Sequence, residues 1–476
     1  VKLRAWSLYA GMVLATIAAF AGIRALGETL QAPPPAAGVP AFGTTAASEP
    51  LGALPHVLLA LLVIILVARA AGALFRYLHQ PPVVGEMLAG IMLGPSLLGR
   101  VAPAVSAFVL PPSVAPLLGI IAQVGVVLFM FLVGLELDAG LLRKKTQASV
   151  AVSHASITAP FLLGGLLALL LYPLLATSDV PFLPFALFMA VSMSVTAFPV
   201  LARILSDRGM QQTQLGTIAL TCAAVDDVTA WCLLALVVGV ARSTAGAVVL
   251  TTTLALGFTA AMLLFVRPRI ARWVASRSSE RVSQNVMALV FTGLLLSALA
   301  TEAIGIHALF GAFLFGAIIP HDSALAQQAK GKLTDIVVVL FLPAFFAFTG
   351  LRTEIALVDG LQNWLLCGLV VLVAVVGKFG GSCLAARLTG LQWRDAAALG
   401  VLMNTRGLME LVVLHVGLDL RVISPLVFAM MVVMALVTTL MTTPVLHLLL
   451  RQAPGPAAGA ALAGPAPIDG HQQLTD

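Results

Sequence analysis

About thirteen apolar stretches of membrane-spanning length follow one another between Leu54 and Leu450. They run Leu54–Phe75, Val83–Leu98, Pro116–Leu137, Ser149–Leu174, Phe182–Leu205, Gly216–Val240, Ala247–Val266, Val286–Ala300, Ile306–Ile319, Ile336–Leu351, Trp364–Leu388, Ala396–Val416 and Pro425–Leu450. About 20 helical residues cover a hydrocarbon layer of about 30 Å. Lipid offers no hydrogen bonds to a backbone, so stretches of this kind must satisfy their own, as a helix does. The pattern predicts an all-α polytopic membrane protein. Composition agrees, because 60% of the 476 residues are hydrophobic and only 10% charged, too few charges to solvate a soluble domain of this length.

The same numbers exclude several function classes. The net charge of +6 is carried by loop positions and marks no nucleic-acid surface. Cys222, Cys232, Cys367 and Cys383 fall in apolar stretches without disulfide or zinc spacing and read as small core residues. No HExxH pair, phosphate-binding glycine loop or serine elbow is present. The chain reads as no enzyme and needs no cofactor.

Basic residues set the expected orientation. One set of alternate loops holds Arg76, Arg143 to Lys145, Arg203 and Arg208, five arginines between Arg267 and Arg281, Lys330 and Lys332, Arg387 and Arg394, and Arg451. The opposite set holds only Arg100, Arg242, Arg352 and Arg421, besides Arg24 near the start. The richer set is predicted cytoplasmic, which puts the C-terminus inside a cell inner membrane. Residues 1–27 include the apolar run Trp6–Ile23 behind Lys2 and Arg4 and read as a signal peptide or an extra anchoring helix. Residues 28–53, rich in Pro, Ala and Gly, read as a flexible periplasmic loop, 54–450 as the transmembrane domain and 451–476 as a disordered cytoplasmic tail. That tail is too short for a nucleotide-binding domain.

Four polar features interrupt the apolar background. Asp226 and Asp227 stand side by side within LTCAAVDDVTAWCLLAL. A carboxylate at that depth costs at least ~2.5 kcal/mol, and intramembrane acids mark ion pathways. Helical neighbours point about 100° apart, so one aspartate can face a cation on another helix while the other faces a watery cavity. Ser192, Ser194, Thr196 and Pro199 lie one segment earlier. Pro199 has no N–H for the carbonyl of Val195. A freed carbonyl among hydroxyls suits a dehydrating Na⁺ or K⁺, and a simple proline kink is the alternative. Lys378, mid-segment beside Gly377, Gly380 and Gly381, needs a carboxylate or must snorkel to the interface. Asn404, Thr405, Arg406, Gly407 and Glu410 interrupt the next-to-last segment, with Arg406 and Glu410 four apart on one face. They can pair with each other, serve cation passage or hold another buried group. A polar interruption in each half suggests two inverted repeats whose broken helices meet at the membrane midplane. Glu86, Glu136 and Asp138 read as interfacial or structural, and His307 as a packed histidine.

The stretches QPPVVGEMLAGIMLGPSLLG (Gln80–Gly99), VLFMFLVGLELD (Val127–Asp138), AVDDVTAW (Ala224–Trp231), GIHALFGAFLFGAIIP (Gly305–Pro320), LFLPAFFAFTGLRTE (Leu340–Glu354) and NTRGLMELVVLHVG (Asn404–Gly417) follow one another in this order. Together they resemble the monovalent cation:proton antiporter-2 family of the cation:proton antiporter superfamily. The wording is most similar to plant-type cation/proton exchangers and their bacterial relatives. The resemblance implies thirteen helices, two inverted repeats, a core and a dimerisation domain, hence a homodimer in lipid. It implies that Asp227 binds cation and proton in turn, that Asp226 pairs with Lys378 and that Thr196 sits at the helix crossing. Ser194 joins this cation and proton site, with Arg406, Glu410 and Asn404 in support. The expected function is exchange of Na⁺ or K⁺ for H⁺ by alternating access; a cation channel or uniporter using the same aspartates is the alternative. An intramembrane aspartyl protease fits poorly, since that chemistry takes its two carboxylates from separate helices.

Overall fold

A computed structural model describes residues 2–28, 30, 53–136, 147–210, 213–242, 245–276 and 283–451. The loop read over 28–53 lies outside the described residues except at 28, 30 and 53. So do the tail beyond Arg451, Asp138, the Arg143–Lys145 cluster, Arg277 and Arg281. Among the described residues every regular element is helical.

Among the described residues, eleven helices are long and apolar enough to span a membrane, and a bent pair, Trp393–Met403 with Leu408–Asp419, makes a twelfth span. The expected segment Ile306–Ile319 forms only the 11-residue helix Ala308–Ile318. At 1.5 Å per residue that is about 16 Å, half of a hydrocarbon layer, so twelve spans and one short apolar helix stand where thirteen spans were expected. The leading stretch is a helix, Lys2–Gly27, and its Phe20 packs against Phe161 of the helix Gln147–Leu175 with ring centroids 5.1 Å apart.

The helices sort into two groups. The first takes Ala53–Tyr77, Pro82–Leu93 and Val114–Glu136 from early in the chain, then Gln284–Ile304, Ala308–Ile318 and Leu342–Leu351 from later. The second takes Gln147–Leu175, the pair Phe182–Ser194 and Phe198–Asp207, and Gln214–Arg242, then everything from Gly360 to Arg451. The chain therefore visits each group twice, and Ala245–Ala261 carries it back from the second to the first. Contacts are dense inside each group and sparse between them.

Glycine builds the first group. A Cβ on Gly350 would lie 1.9 Å from the Gly90 carbonyl oxygen, and one on Gly134 would lie 2.2 Å from that of Phe313. Apolar side chains gain little by leaving lipid for each other, so membrane helices associate through close backbone approach, and small residues permit it. Gly85, Gly90 and Gly94 of QPPVVGEMLAGIMLGPSLLG and Gly311 and Gly316 of GIHALFGAFLFGAIIP are thus packing residues. The second group buries the polar features, and its helices meet at two interruptions.

Candidate functional site: a helix crossing with two unlike carboxylates

The first interruption separates Phe182–Ser194 from Phe198–Asp207. Val195 and Ala197 have extended or irregular backbones, and Pro199 lies in the first turn of the restarted helix. Proline is well tolerated there because its missing N–H would find no helical partner. The chain breaks outright before Pro199 rather than bending at it. The second interruption, Asn404 to Gly407, separates helices bent by 44°.

The two interruptions touch. Ala197 donates its backbone N–H to the Thr405 carbonyl at 3.0 Å. The Arg406 guanidinium donates to the carbonyls of Ser192 at 2.7 Å and Met193 at 2.6 Å, so it caps the last turn of the first half-helix, where carbonyls have lost their helical partners. Its charge is balanced by Glu410, at 2.7 Å. On the far side the Thr439 hydroxyl accepts from the Arg406 N–H at 3.2 Å and lies 2.7 Å from its carbonyl oxygen. Arg406 and Glu410 are both fully buried.

Lys378 comes from a π-helical turn, Val376–Gly380. Such a turn carries one extra residue per loop of the helix and recurs at functional sites. Glycines on either side let this segment press onto Gln147–Leu175: a Cβ at Gly377 would lie 2.8 Å from Pro160, and one at Gly381 2.8 Å from the Ala155 carbonyl. The fully buried Lys378 Nζ donates to Asp226 Oδ2 at 3.1 Å and to Thr196 Oγ1.

Asp226 and Asp227 occupy opposite environments although they are sequence neighbours on Gln214–Arg242. Asp226 Oδ1 accepts from Ser153 Oγ at 3.1 Å. Its Oδ2 accepts from Ser156 Oγ at 2.6 Å and Thr196 Oγ1 at 2.9 Å, besides Lys378. Asp227 is 3% exposed, and both its oxygens lack a hydrogen-bond partner. The Phe198 amide, first in the restarted half-helix, faces it without closing a hydrogen bond of normal geometry. A buried carboxylate with no donor is costly to keep and is open to a cation or a proton.

Of the remaining candidates, Ser194 and Asn404 lie at this crossing, and Glu86, Glu136 and His307 lie with the first group of helices. Ser194 is buried and donates to the carbonyls of Ala190 at 2.8 Å and Ile157 at 3.1 Å, not to an aspartate. Asn404 ends the helix Trp393–Met403, and its buried Oδ1 has no partner. Glu86, also buried, faces Arg69 at 3.6 Å, and Glu136 pairs with Lys330. His307 is half-buried and caps the helix Ala308–Ile318, where it accepts from the Leu309 N–H at 3.5 Å. Three of the cysteines are buried, but Cys232 is exposed and lines a groove with Ala255, Thr259 and Phe310, contrary to the core reading.

Sequence reasoning passed over Ser153 and Ser156. Their spacing of three puts both on one helix face, and that pattern in ASVAVSHASITAP was the available signal. The π turn left no such signal.

A family model described as sodium/hydrogen exchanger, transmembrane, matches residues 58–452. The chain is 42% identical over 400 residues to the Na⁺/H⁺ antiporter NhaS4 of Synechocystis, covering 83% of this chain and 97% of that protein. It is 39% identical to cation/H⁺ antiporter 20 of Arabidopsis thaliana, over 85% of this chain and 49% of that one. Likeness to K⁺/H⁺ antiporter 1 of Saccharomyces cerevisiae is 34% over 86% of this chain and 48% of that one. The chain spans about half the length of these two eukaryotic relatives. In fold it is similar to the sodium proton antiporter MjNhaP1 of Methanocaldococcus jannaschii, with a TM-score of 0.59 and 16% identity over 84% of this chain and 98% of that one. A match over most of its length to the exchanger model, with relatives at this identity, means that the chain belongs to the sodium/hydrogen exchanger family of cation:proton antiporters.

Proposed function

We propose that the protein is a secondary transporter that exchanges a monovalent cation, Na⁺ or K⁺, for protons across the cell inner membrane by alternating access. The observation that carries this reading is the contrast between neighbouring carboxylates: Asp226 has four donors and Asp227 none. A group without donors holds H⁺ or an alkali cation but not both, and that competition couples the two fluxes. The names of the relatives, Na⁺/H⁺, K⁺/H⁺ and cation/H⁺ antiporters, support the same substrates.

Each site residue then has a part. Asp227 carries cation or proton. Asp226 and Lys378 form a core ion pair, and Lys378 moves net charge if it gives up its proton when cation binds. Thr196 links the pair to the crossing, Ser194 and Asn404 line it, and Arg406 with Glu410 holds the two broken helices together. Two groups of helices with sparse mutual contact support a rocking motion of the second group against the first. The two visits of the chain to each group support two inverted repeats whose broken helices cross at the midplane. The first group would form the homodimer contact, and the loops rich in arginine and lysine place the C-terminus in the cytoplasm.

Asp227→Asn keeps the shape and removes the exchangeable charge. In everted vesicles with the membrane potential clamped, a pulse of Na⁺ or K⁺ is expected to dissipate a preset pH gradient in the parent and to leave it standing in the variant. Exchange retained by Asp227→Asn would remove that residue from the carrier role.

A further inference from the structure

We propose that Ser153 and Ser156 determine cation preference by holding Asp226 out of the cation's coordination sphere; this rests on the reading of Asp227 as the carrier. Both serines are buried on the helix Gln147–Leu175, which carries no other group argued into the site. Ser153 is the one hydrogen-bond donor shown for Asp226 Oδ1, at 3.1 Å. Ser156, at 2.6 Å, makes the shorter of the two serine contacts and engages Oδ2. Between them both carboxylate oxygens are turned toward Gln147–Leu175 and the lysine. Asp227, one residue on, keeps two bare oxygens. Adjacent aspartates would otherwise offer a cation two negative groups.

The consequence is chemical. A site with one carboxylate has a weaker field than a site with two, and ligand charge and number govern which hard cation is worth dehydrating. A small ion such as Li⁺ or Na⁺ holds its water more tightly than K⁺ does. It repays dehydration only where the field is strong. With Lys378 paired to Asp226 and the serines holding that carboxylate on the side of Gln147–Leu175, the field stays at one formal charge and so favours the larger alkali cation. Ser153 and Ser156 are positioning residues, because they act through Asp226 and need not touch the ion.

The test is exchange with K⁺, Na⁺ and Li⁺ in proteoliposomes of the full chain. Parent, Ser153→Ala, Ser153→Ala/Ser156→Ala, Ser153→Thr and Asp227→Asn are compared. In the double variant the KM for Li⁺ and Na⁺ relative to K⁺ is expected to fall about tenfold, the effect of about 1.4 kcal/mol of added contact. Ser153→Ala shifts the ratio in the same direction, and Ser153→Thr, which keeps the hydroxyl, returns it toward the parent. An unchanged ratio in the double variant, or a threonine variant that behaves like alanine, overturns the proposal. If the double variant does not turn over, the rise in unfolding temperature produced by each cation reads the same ratio, and absence of any cation-dependent rise also overturns it. Exchange retained by Asp227→Asn strikes the carrier assignment instead, so the two failures are separable.

Discussion

A lysine and an aspartate, each 0% exposed, sit 3.1 Å apart at the centre of the second group. Bringing such charges out of water is expensive, and the pair is tolerable only because each has further partners. Asp226 has three hydroxyls besides the ammonium, and Lys378 has Thr196 besides the carboxylate. Removing one charge leaves the other uncompensated. Lys378→Ala is therefore expected to cost about 3–5 kcal/mol of stability, seen as a lower unfolding temperature of the detergent-purified protein. Asp226→Asn/Lys378→Ala, which removes both charges, should regain a large part of that loss, because the remaining amide can still meet the three hydroxyls. Equal losses in the single and double variants would mean that Lys378 is held by packing rather than by its partner. Arg406 obeys the same logic with different means. Its guanidinium fans out to two carbonyls and Glu410, a geometry that lysine could not reproduce.

At the scale of elements, the second broken helix is clasped from outside by the helix Pro425–Arg451. Thr439 brackets the Arg406 backbone, and Thr442 lies within 3.5 Å of the Thr405 hydroxyl. Thr439→Val keeps volume and removes the hydroxyl, so the Arg406 N–H is left without that acceptor. The expected cost is about 1–3 kcal/mol, read as faster amide exchange across Asn404–Gly407 with the remaining helices unchanged. The sequence showed this element only in part. Pro199, Asn404 and Gly407 break apolar runs with residues that helices reject, so both interruptions were legible. Arg406 and Glu410, four apart, announced their pairing. Thr439 and Thr442 were not legible as a clasp, because hydroxyls at helical spacing bond their own helix as readily as a neighbour. Ser153 and Ser156 were hidden for the same reason. The π turn at Lys378 escaped because an inserted residue changes the register without changing hydrophobicity, and nothing in VVGKFGGS marks it. Ala308–Ile318 read as a full span because Ile306, Ile319 and Pro320 extend its apolar run at both ends without being helical.

On the scale of the whole molecule, the two helix groups meet at few places, and one of them is tied by charge. Arg352, just past Leu342–Leu351 in the first group, pairs with Asp419 at the end of Leu408–Asp419 in the second. Beside it His415 of the second group packs against Phe345 and Phe348 of the first, with ring centroids 5.7 and 5.0 Å away. The guanidinium of Arg352 lies 4.4 Å over Phe348, so the ion pair and the aromatic contact form one patch. Both arginines of this region, Arg352 and Arg421, fall in the loops proposed as external. A contact made in one arrangement of the groups and lost in another biases the population toward the first. The pair is partly exposed, so its loss should change global stability little while opening the outer face. Thr353, fully buried next to Arg352, supplies the reporter as Thr353→Cys in a Cys232→Ser background, since the other three cysteines are buried. Labelling by an impermeant thiol reagent added from outside is expected to speed up in Asp419→Ala and to fall back toward the parent rate in the charge swap Arg352→Asp/Asp419→Arg. Equal labelling in all three would place the hinge of the motion elsewhere, because the only salt bridge seen between the groups among the described residues would then hold nothing shut.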